Sequence, residues 1–367
     1  MKRLVPASAL ILASACLLAL GACGNDLESI SQVSKFRVLG VQADPPEVNP
    51  GGDTAIRVLT ADPEGDGRMI VAGGMAFAGL MTPSSTPDTT DLPPLFWFMD
   101  FAQANPNGVI EIANLAVPEY YLGPDGEPVD LLIPDDGDDE NGEELDFMSV
   151  TALILMCAGD GFSAVEMAHA MQDLQAGGGS IDLEDPTALE GLCVNAGADE
   201  GLVAFKTFDI SLETERPNAN PAIDLLEMKR GASLENVVME GTGTWFEVLP
   251  WVEGGNPGTF FCKGDECRDS ASIRAFLTPE SFQTYEKVVF GDVETRDERT
   301  YISWFTEGGE FNADRSGNDG TPGDPFEVEW LPPREGGEHL LWAVAHDIRG
   351  GVSWKRYMMD AVIGQGE

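Results

Sequence analysis

Basic residues are scarce. Lysine and arginine together number 21 against 63 aspartates and glutamates, and the formal net charge is −42. Phosphate recognition needs clustered Lys or Arg, so this balance argues against a nucleic-acid partner and equally against adsorption onto anionic lipid headgroups. Histidine is scarcer still: His169, His339 and His346 are the whole complement, and no His-Glu-x-x-His helix occurs. No Gly-x-Ser-x-Gly elbow is present, nor a glycine-rich phosphate loop. His346 precedes Asp347, but no nucleophile is identifiable to complete a triad. With 63 acids, paired carboxylates are too common to mark a glycosidase. The expectation is a protein that is not an enzyme and holds no cofactor.

What is present begins at the N-terminus. Lys2 and Arg3 precede residues 4–20, which are almost wholly apolar or small. That is the pattern of a secretory signal, too short and too early for a permanent membrane span of about 20 apolar residues. It ends in Leu20-Gly21-Ala22-Cys23. This sequence resembles the lipobox of bacterial lipoproteins, in which the chain is cut before the cysteine and the cysteine is lipidated. The resemblance implies a signal peptide over residues 1–22, lipidation at Cys23, and membrane attachment through that anchor. One acyl chain anchors only marginally, and the lipoprotein family carries three. Gly24, rather than Asp, follows the cysteine, which by the family's sorting rule implies the outer membrane, on its periplasmic or surface face. Residues 23–34 read as a polar tether.

Four further cysteines, Cys157, Cys193, Cys262 and Cys267, are even in number, which in an exported chain favours two disulfides. Cys157 with Cys193 and Cys262 with Cys267 are the pairs expected, although spacing alone leaves connectivity open. A Cys-x4-Cys pair has neither the usual two-residue spacing nor a matched second pair for zinc.

Short apolar runs punctuated by 42 glycines and 24 prolines read as mainly β structure. Residues 36–41 and 54–60 read as strands flanking a Pro/Gly corner. Residues 300–306 read as a central strand with Trp304 as its buried aromatic, and Phe326, Val328 and Trp330 alternate on one face. Residues 163–175 suit a short amphipathic helix ended by Gly177-Gly178-Gly179. The expected fold is two tandem immunoglobulin-like β-sandwich domains. The first spans 35–213 with a disulfide-closed helical insertion at about 148–195, and the second spans 214–367.

Two further resemblances carry this expectation. Pro45-Pro46-Glu47-Val48-Asn49-Pro50-Gly51-Gly52, followed by Ala61-Asp62-Pro63, resembles the opening of envelope lipoproteins from myxobacteria and their relatives. Asn218-Ala219-Asn220-Pro221-Ala222-Ile223 is similar to the opening of cadherin-like sandwich repeats. The hairpin Asp347-Ile348-Arg349-Gly350-Gly351, between strands ending and beginning near Trp342 and Trp354, is similar to their closing one. The cadherin-like resemblance implies that calcium, if it binds, is held at the domain junction by Glu213, Glu215, Asn218 and Asn220, where it would stiffen a hinge. The family's full acidic linker is absent. The acidic run 135–144 fails the EF-hand register: with Gly142 sixth, Gly137 falls where Asp is needed and Met148 where Glu is needed. The loop 314–320 carries Arg315 among its oxygen donors and reads as solvated.

Function is expected to be structural or to involve binding an envelope protein or a glycan, since sandwich loops carry recognition. Pro93 to Met99 is apolar and aromatic, and reads as a buried strand rather than an exposed one. The alternative is an envelope enzyme or solute-binding subunit whose site has no linear motif, recognisable by a pocket with convergent polar groups.

Overall fold

A computed structural model describes residues 30–65, 68–78, 96–104, 107–122, 127–130, 147–169, 186–211, 217–230, 245–252, 255, 257–262, 266–289, 292–317 and 321–364. The protein is mainly β. Its first strands are β1 (Arg37–Asp44), β2 (Glu47–Val48), β3 (Asp53–Ala61), β4 (Arg68–Ala78), β5 (Phe96–Ala104), β6 (Val109–Ala116), β7 (Tyr120–Leu122), β8 (Pro128–Asp130), β9 (Phe147–Asp160) and β10 (Glu200–Ser211). They are followed by β11 (Ile223–Arg230), β12 (Phe246–Glu247), β13 (Gly258–Phe261), β14 (Ala271–Leu277), β15 (Thr284–Val289), β16 (Asp292–Asp297), β17 (Thr300–Thr306), β18 (Glu310–Phe311), β19 (Arg315–Gly317), β20 (Phe326–Leu331), β21 (Gly337–Asp347) and β22 (Val352–Val362).

Four sheets dominate. Sheet I has the order β1-β3-β6 and sheet II the order β2-β10-β9-β4-β5. Sheet III has the order β12-β11-β14-β20-β18 and sheet IV the order β13-β22-β21-β17-β19. Side chains alternate across a strand, so each sheet has two faces to cover. Phe36, Val41, Ile56 and Val58 face Ile70, Ile154, Met156 and Phe208 between sheets I and II. Ile273, Phe326, Val328 and Trp330 face Ile302, Trp304, Ala343 and Tyr357 between sheets III and IV. The alternation expected at Phe326, Val328 and Trp330 and the burial expected of Trp304 are both seen.

A third apolar layer joins the two pairs. Leu39, Leu59 and Ala61 on the outer face of sheet I pack against Leu340, Trp342, Val344 and Val352 on the outer face of sheet IV. The pairing of β1 with β3 slips between Val38 and Gly40, and such a bulge re-aims side chains. Leu39 thereby joins the contact. A Cβ on Gly40 would lie 3.2 Å from Val344 and 3.4 Å from Trp354, so glycine permits the close approach. The pairs are thus docked face to face over a broad surface, not strung end to end about a hinge.

The end of the expected tether belongs to this contact. Ser31 and Val33 are 0% and 1% exposed. Thr306 N–H donates to Ser31 O at 2.9 Å, and Val33 N–H donates to Thr306 O at 2.8 Å. Val33 packs with Leu39 and Trp342, which is reason enough for an apolar residue there.

The helical insertion starts later than residue 148. Residues 147–160 form β9, between β10 and β4, and its centre is buried on both faces. Ile154 and Met156 point to sheet I, whereas Leu153, Leu155 and Cys157 point outward. A strand covered on both sides reads as an unbroken apolar run rather than an alternation, and the sequence signal of a strand is lost. Helical residues 164–169 and the helix Pro186–Asn195 cover the outer face, where Met167, Leu192 and Cys193 meet Leu155 and Cys157. Residues 170–185 lie outside the described residues.

Cys157 is bonded to Cys193 with Cα atoms 5.3 Å apart, and Cys262 to Cys267. The first bond closes a sequence separation of 36, for which the chain-entropy relation gives about 3–4 kcal/mol. The Cys157→Ala, Cys193→Ala double variant is expected to lose about that much stability in urea unfolding.

Candidate functional site

Beyond the apolar contact, the two sheet pairs meet through buried polar groups. The β21–β22 hairpin is shaped by Asp347, whose Oδ1 accepts the N–H groups of Arg349 at 2.8 Å and Gly351 at 2.6 Å. This is an Asx turn, in which a carboxylate satisfies backbone donors that a tight turn leaves free. Gly350 has φ +96°, and a Cβ on Gly351 would fall 2.0 Å from Asp347 Oδ2, so the turn requires both glycines. Its product is the position of Arg349.

Arg349 Nη2 donates to Glu47 Oε2 at 2.7 Å, and its Nη1 lies 3.8 Å from Glu298 Oε2. The guanidinium also sits 5.0 Å from the Tyr285 ring centroid. Glu47 is delivered from the other side. The chain leaves sheet I after β1 and enters sheet II as β2, parallel to β10, and Glu47 stands at that change of sheet. Glu47 also accepts the Ser211 hydroxyl at 2.5 Å and the Asn218 N–H at 2.7 Å. Lys206 Nζ, nearly buried at the end of the first core, donates to Gly350 O. Asn220 Nδ2 donates to Ala43 O at 2.9 Å, and its Oδ1 accepts the Val352 N–H at 2.8 Å.

Burial governs the electrostatics, because taking a charge out of water disfavours its charged form. It lowers the Lys206 pKa to about 8, against the pull of Asp347 and Asp209. It raises Asp209 and Asp347 above the usual carboxylate range. It raises Glu298 to about 8, with the Asp347 charge adding to the shift.

A second polar bridge lies at the Asn107 turn. Asp62 is fully buried, and its Oδ2 accepts Arg68 Nη1 at 2.9 Å. Asn107 is held in the left-handed region at φ 61° by reciprocal bonds with the Asp62 backbone at 2.6 and 2.9 Å. Its carbonyl accepts Arg356 Nη1 from β22. Arg356 in turn lies over the Trp251 ring at 4.3 Å.

Of the residues expected to be functional, Cys23, Glu213 and Glu215 lie outside the described residues, as does the acidic run 135–144. Asn218 and Asn220 are at the contact, but the positive charge there is supplied by Arg349 and Lys206. Among the described residues no group of three or more His, Cys, Asp or Glu is placed to hold a metal. Asp314 accepts the Ser31 N–H at 3.1 Å, and Arg315 lies over Tyr301 at 5.4 Å. His346 and Asp347 point to opposite faces of sheet IV. His346 stacks on Tyr301 with centroids 4.6 Å apart, and burial lowers its pKa to about 4, with Lys206 and Arg315 contributing. His339 Nε2 is 3.2 Å from Gly336 O. His169 is the last described residue of the helical stretch that begins at 164. Met99 is buried in the first core, whereas Pro93 to Leu95 lie outside the described residues.

Glu47, Arg349, Glu298 and Lys206 were not singled out as site residues, yet two of them lie inside patterns noted for fold. Glu47 belongs to the Pro-Pro-Glu-Val corner, and Arg349 to the Asp-x-x-Gly-Gly hairpin. Asp62 comes from Ala-Asp-Pro, and Asn218 and Asn220 from the Asn-x-x-Pro-x-Ile stretch. All four patterns converge on the contact between the sheet pairs.

No protein-family model and no curated protein sequence matches the chain. Among solved structures it is similar to dimeric latent PorU from Porphyromonas gingivalis, at 11% identity and TM-score 0.20, over 92% of this chain and 25% of that one. It is also similar to Escherichia coli alpha-2-macroglobulin activated by porcine elastase, at 8% identity and TM-score 0.22, over 91% and 22%. Salmonella alpha-2-macroglobulin reacted with methylamine gives 9% identity and TM-score 0.23, over 92% and 18%. The chain spans a quarter or less of each of these proteins.

Proposed function

We propose that this is a lipid-anchored cell-envelope protein, held to the outer membrane through Cys23, with a non-enzymatic structural or binding role. In this reading it displays two immunoglobulin-like sandwiches to a protein or glycan partner. The observation that carries the proposal is the Leu20-Gly21-Ala22-Cys23 sequence at the end of an apolar run led by Lys2 and Arg3. Seven residue steps after Cys23, Ile30 leads into the buried Ser31 and Val33, and so into the contact that unites both sheet pairs. Seven steps reach at most about 25 Å. An anchor at Cys23 therefore holds the whole docked body close to the membrane as one unit. The two disulfides suit an oxidising compartment. The acidity noted above leaves the lipid as the attachment, since anionic headgroups repel such a surface.

Radiolabelled palmitate and membrane fractionation test this in a bacterial host that processes lipoproteins. The wild-type chain is expected to take up label and to pellet with membranes in high salt. Cys23→Ser is expected to lose essentially all label and membrane retention. Equal label in both proteins, or wild-type protein free of label, would overturn the proposal.

A further inference from the structure

Glu298, just before β17, is 2% exposed. Among the described residues its Oε1 has no hydrogen-bond partner, and the same holds for Thr300 Oγ1 and Asp347 Oδ2. Thr300 lies opposite Asp347 in the β17–β21 register, and both sit on the inner face of sheet IV. Glu298, two residues before Thr300, is within diagonal reach of Asp347 across the strands. Two carboxylate oxygens and one hydroxyl, all buried and without a partner among the described residues, therefore share one corner of the sheet. The groups facing Glu298 are Asp347 from β21, Arg349 from the turn and Glu47 from β2, with Lys206 and Asp209 of β10 beyond them. Among these named groups, two cations stand with four carboxylates. Full ionisation would leave excess negative charge in a buried place, which is costly. A proton on Glu298 removes one such charge and converts an orphan acceptor into a donor.

The guanidinium of Arg349 stands between two carboxylates, and its Nη1 also donates to Gln283 Oε1 at 3.3 Å. Glu47, 2.7 Å away, belongs to the first sheet pair, and Glu298, 3.8 Å away, to the second. We propose that Glu298 is the pH-responsive part of the contact between the sheet pairs: uncharged, it leaves Arg349 to Glu47, and ionised, it draws Arg349 away and weakens the bond across the contact. Burial and the neighbouring Asp347 place the change near neutral pH, with the Glu298 pKa raised from 4.5 to about 8. Between those values the folded chain keeps a proton that the unfolded chain releases. The stability that this proton contributes is complete below about 4.5 and is lost as pH rises through about 8. Lys206, lowered to about 8, acts with the opposite sign above that pH, so the test is a difference between proteins that share it.

Thermal midpoints of the wild type, Glu298→Gln and Glu47→Gln at pH 6 and pH 9 supply that difference. Glutamine imitates the protonated acid, so Glu298→Gln is expected to match the wild type at pH 6 and to exceed it at pH 9. Glu47→Gln is expected to lower the midpoint more at pH 6 than at pH 9, where the bond it removes is already weakened. Infrared spectra of the wild type are expected to show a buried neutral carboxylic acid at pH 7 that disappears by pH 9. Parallel pH profiles of the wild type and Glu298→Gln would overturn the proposal. If Glu298→Gln fails to fold, the wild-type spectrum decides: no neutral acid at pH 7 overturns it.

Discussion

Trp342→Ala is expected to cost about 3–5 kcal/mol, the usual range for a buried tryptophan replaced by alanine, and to split a single unfolding transition into two. Trp342 is fully buried between sheets I and IV, beside Leu39, Leu59, Val344 and Val352. It contributes to neither of the two sandwich cores, each of which has its own large apolar set. The loss therefore falls on the coupling between the pairs, not on the packing within either. Differential scanning calorimetry reads both effects. The wild type should melt as one unit, and the variant should show a lower and a higher transition. A single transition at an unchanged midpoint would mean that the apolar contact does not couple the pairs.

Asp62→Ala is expected to destabilise by about 3–5 kcal/mol, because removing one partner strands a buried charge. Arg68 is itself nearly buried, and its nearest carboxylate is Asp62 at 2.9 Å; Glu64 and Glu200 are both 3.5 Å away and more exposed. Replacing both partners, as Asp62→Ala with Arg68→Met, is expected to recover much of the loss, since no unpaired charge then remains. Urea unfolding of the three proteins checks the comparison. A double variant no more stable than the single one would show that Asp62 acts through the bond its Oδ1 accepts from the Glu64 N–H at 3.1 Å rather than through its charge pair with Arg68.

Local patterns were legible at some strands with one face to water, although β6, which alternates as clearly, was not read. Phe326, Val328 and Trp330 alternate with exposed neighbours, so their strand and its buried face can be read directly. The even number of cysteines pointed to two disulfides, and the pairs expected are those that form, although spacing alone left the connectivity open. Where both faces are covered, the pattern fails. β9 is apolar on both sides because one side meets sheet I and the other meets the helical cover, and its residues were absorbed into the expected insertion. The contact between the sheet pairs was not legible either. Leu39, Leu59, Trp342 and Val344 look like ordinary strand residues, and only the fold reveals that their outward faces meet. The polar site has the same character. Glu47 and Arg349 are separated by 302 residues, and neither sits in a motif whose chemistry requires the other. The Pro-Pro-Glu-Val corner and the Asp-x-x-Gly-Gly hairpin were visible as turns, because prolines and glycines mark backbone shape. Their charged members needed the assembled sheets to acquire a role.

The central functional claim is attachment at Cys23, and the mass of the N-terminal peptide of the mature protein tests it most directly. Protein purified from the membranes of a lipoprotein-processing bacterium would be digested and its N-terminal peptide weighed. The mature chain is expected to begin at Cys23 and to carry a thioether-linked diacylglycerol and an amide-linked acyl group. A mature chain that begins elsewhere, or an unmodified Cys23, would contradict that attachment.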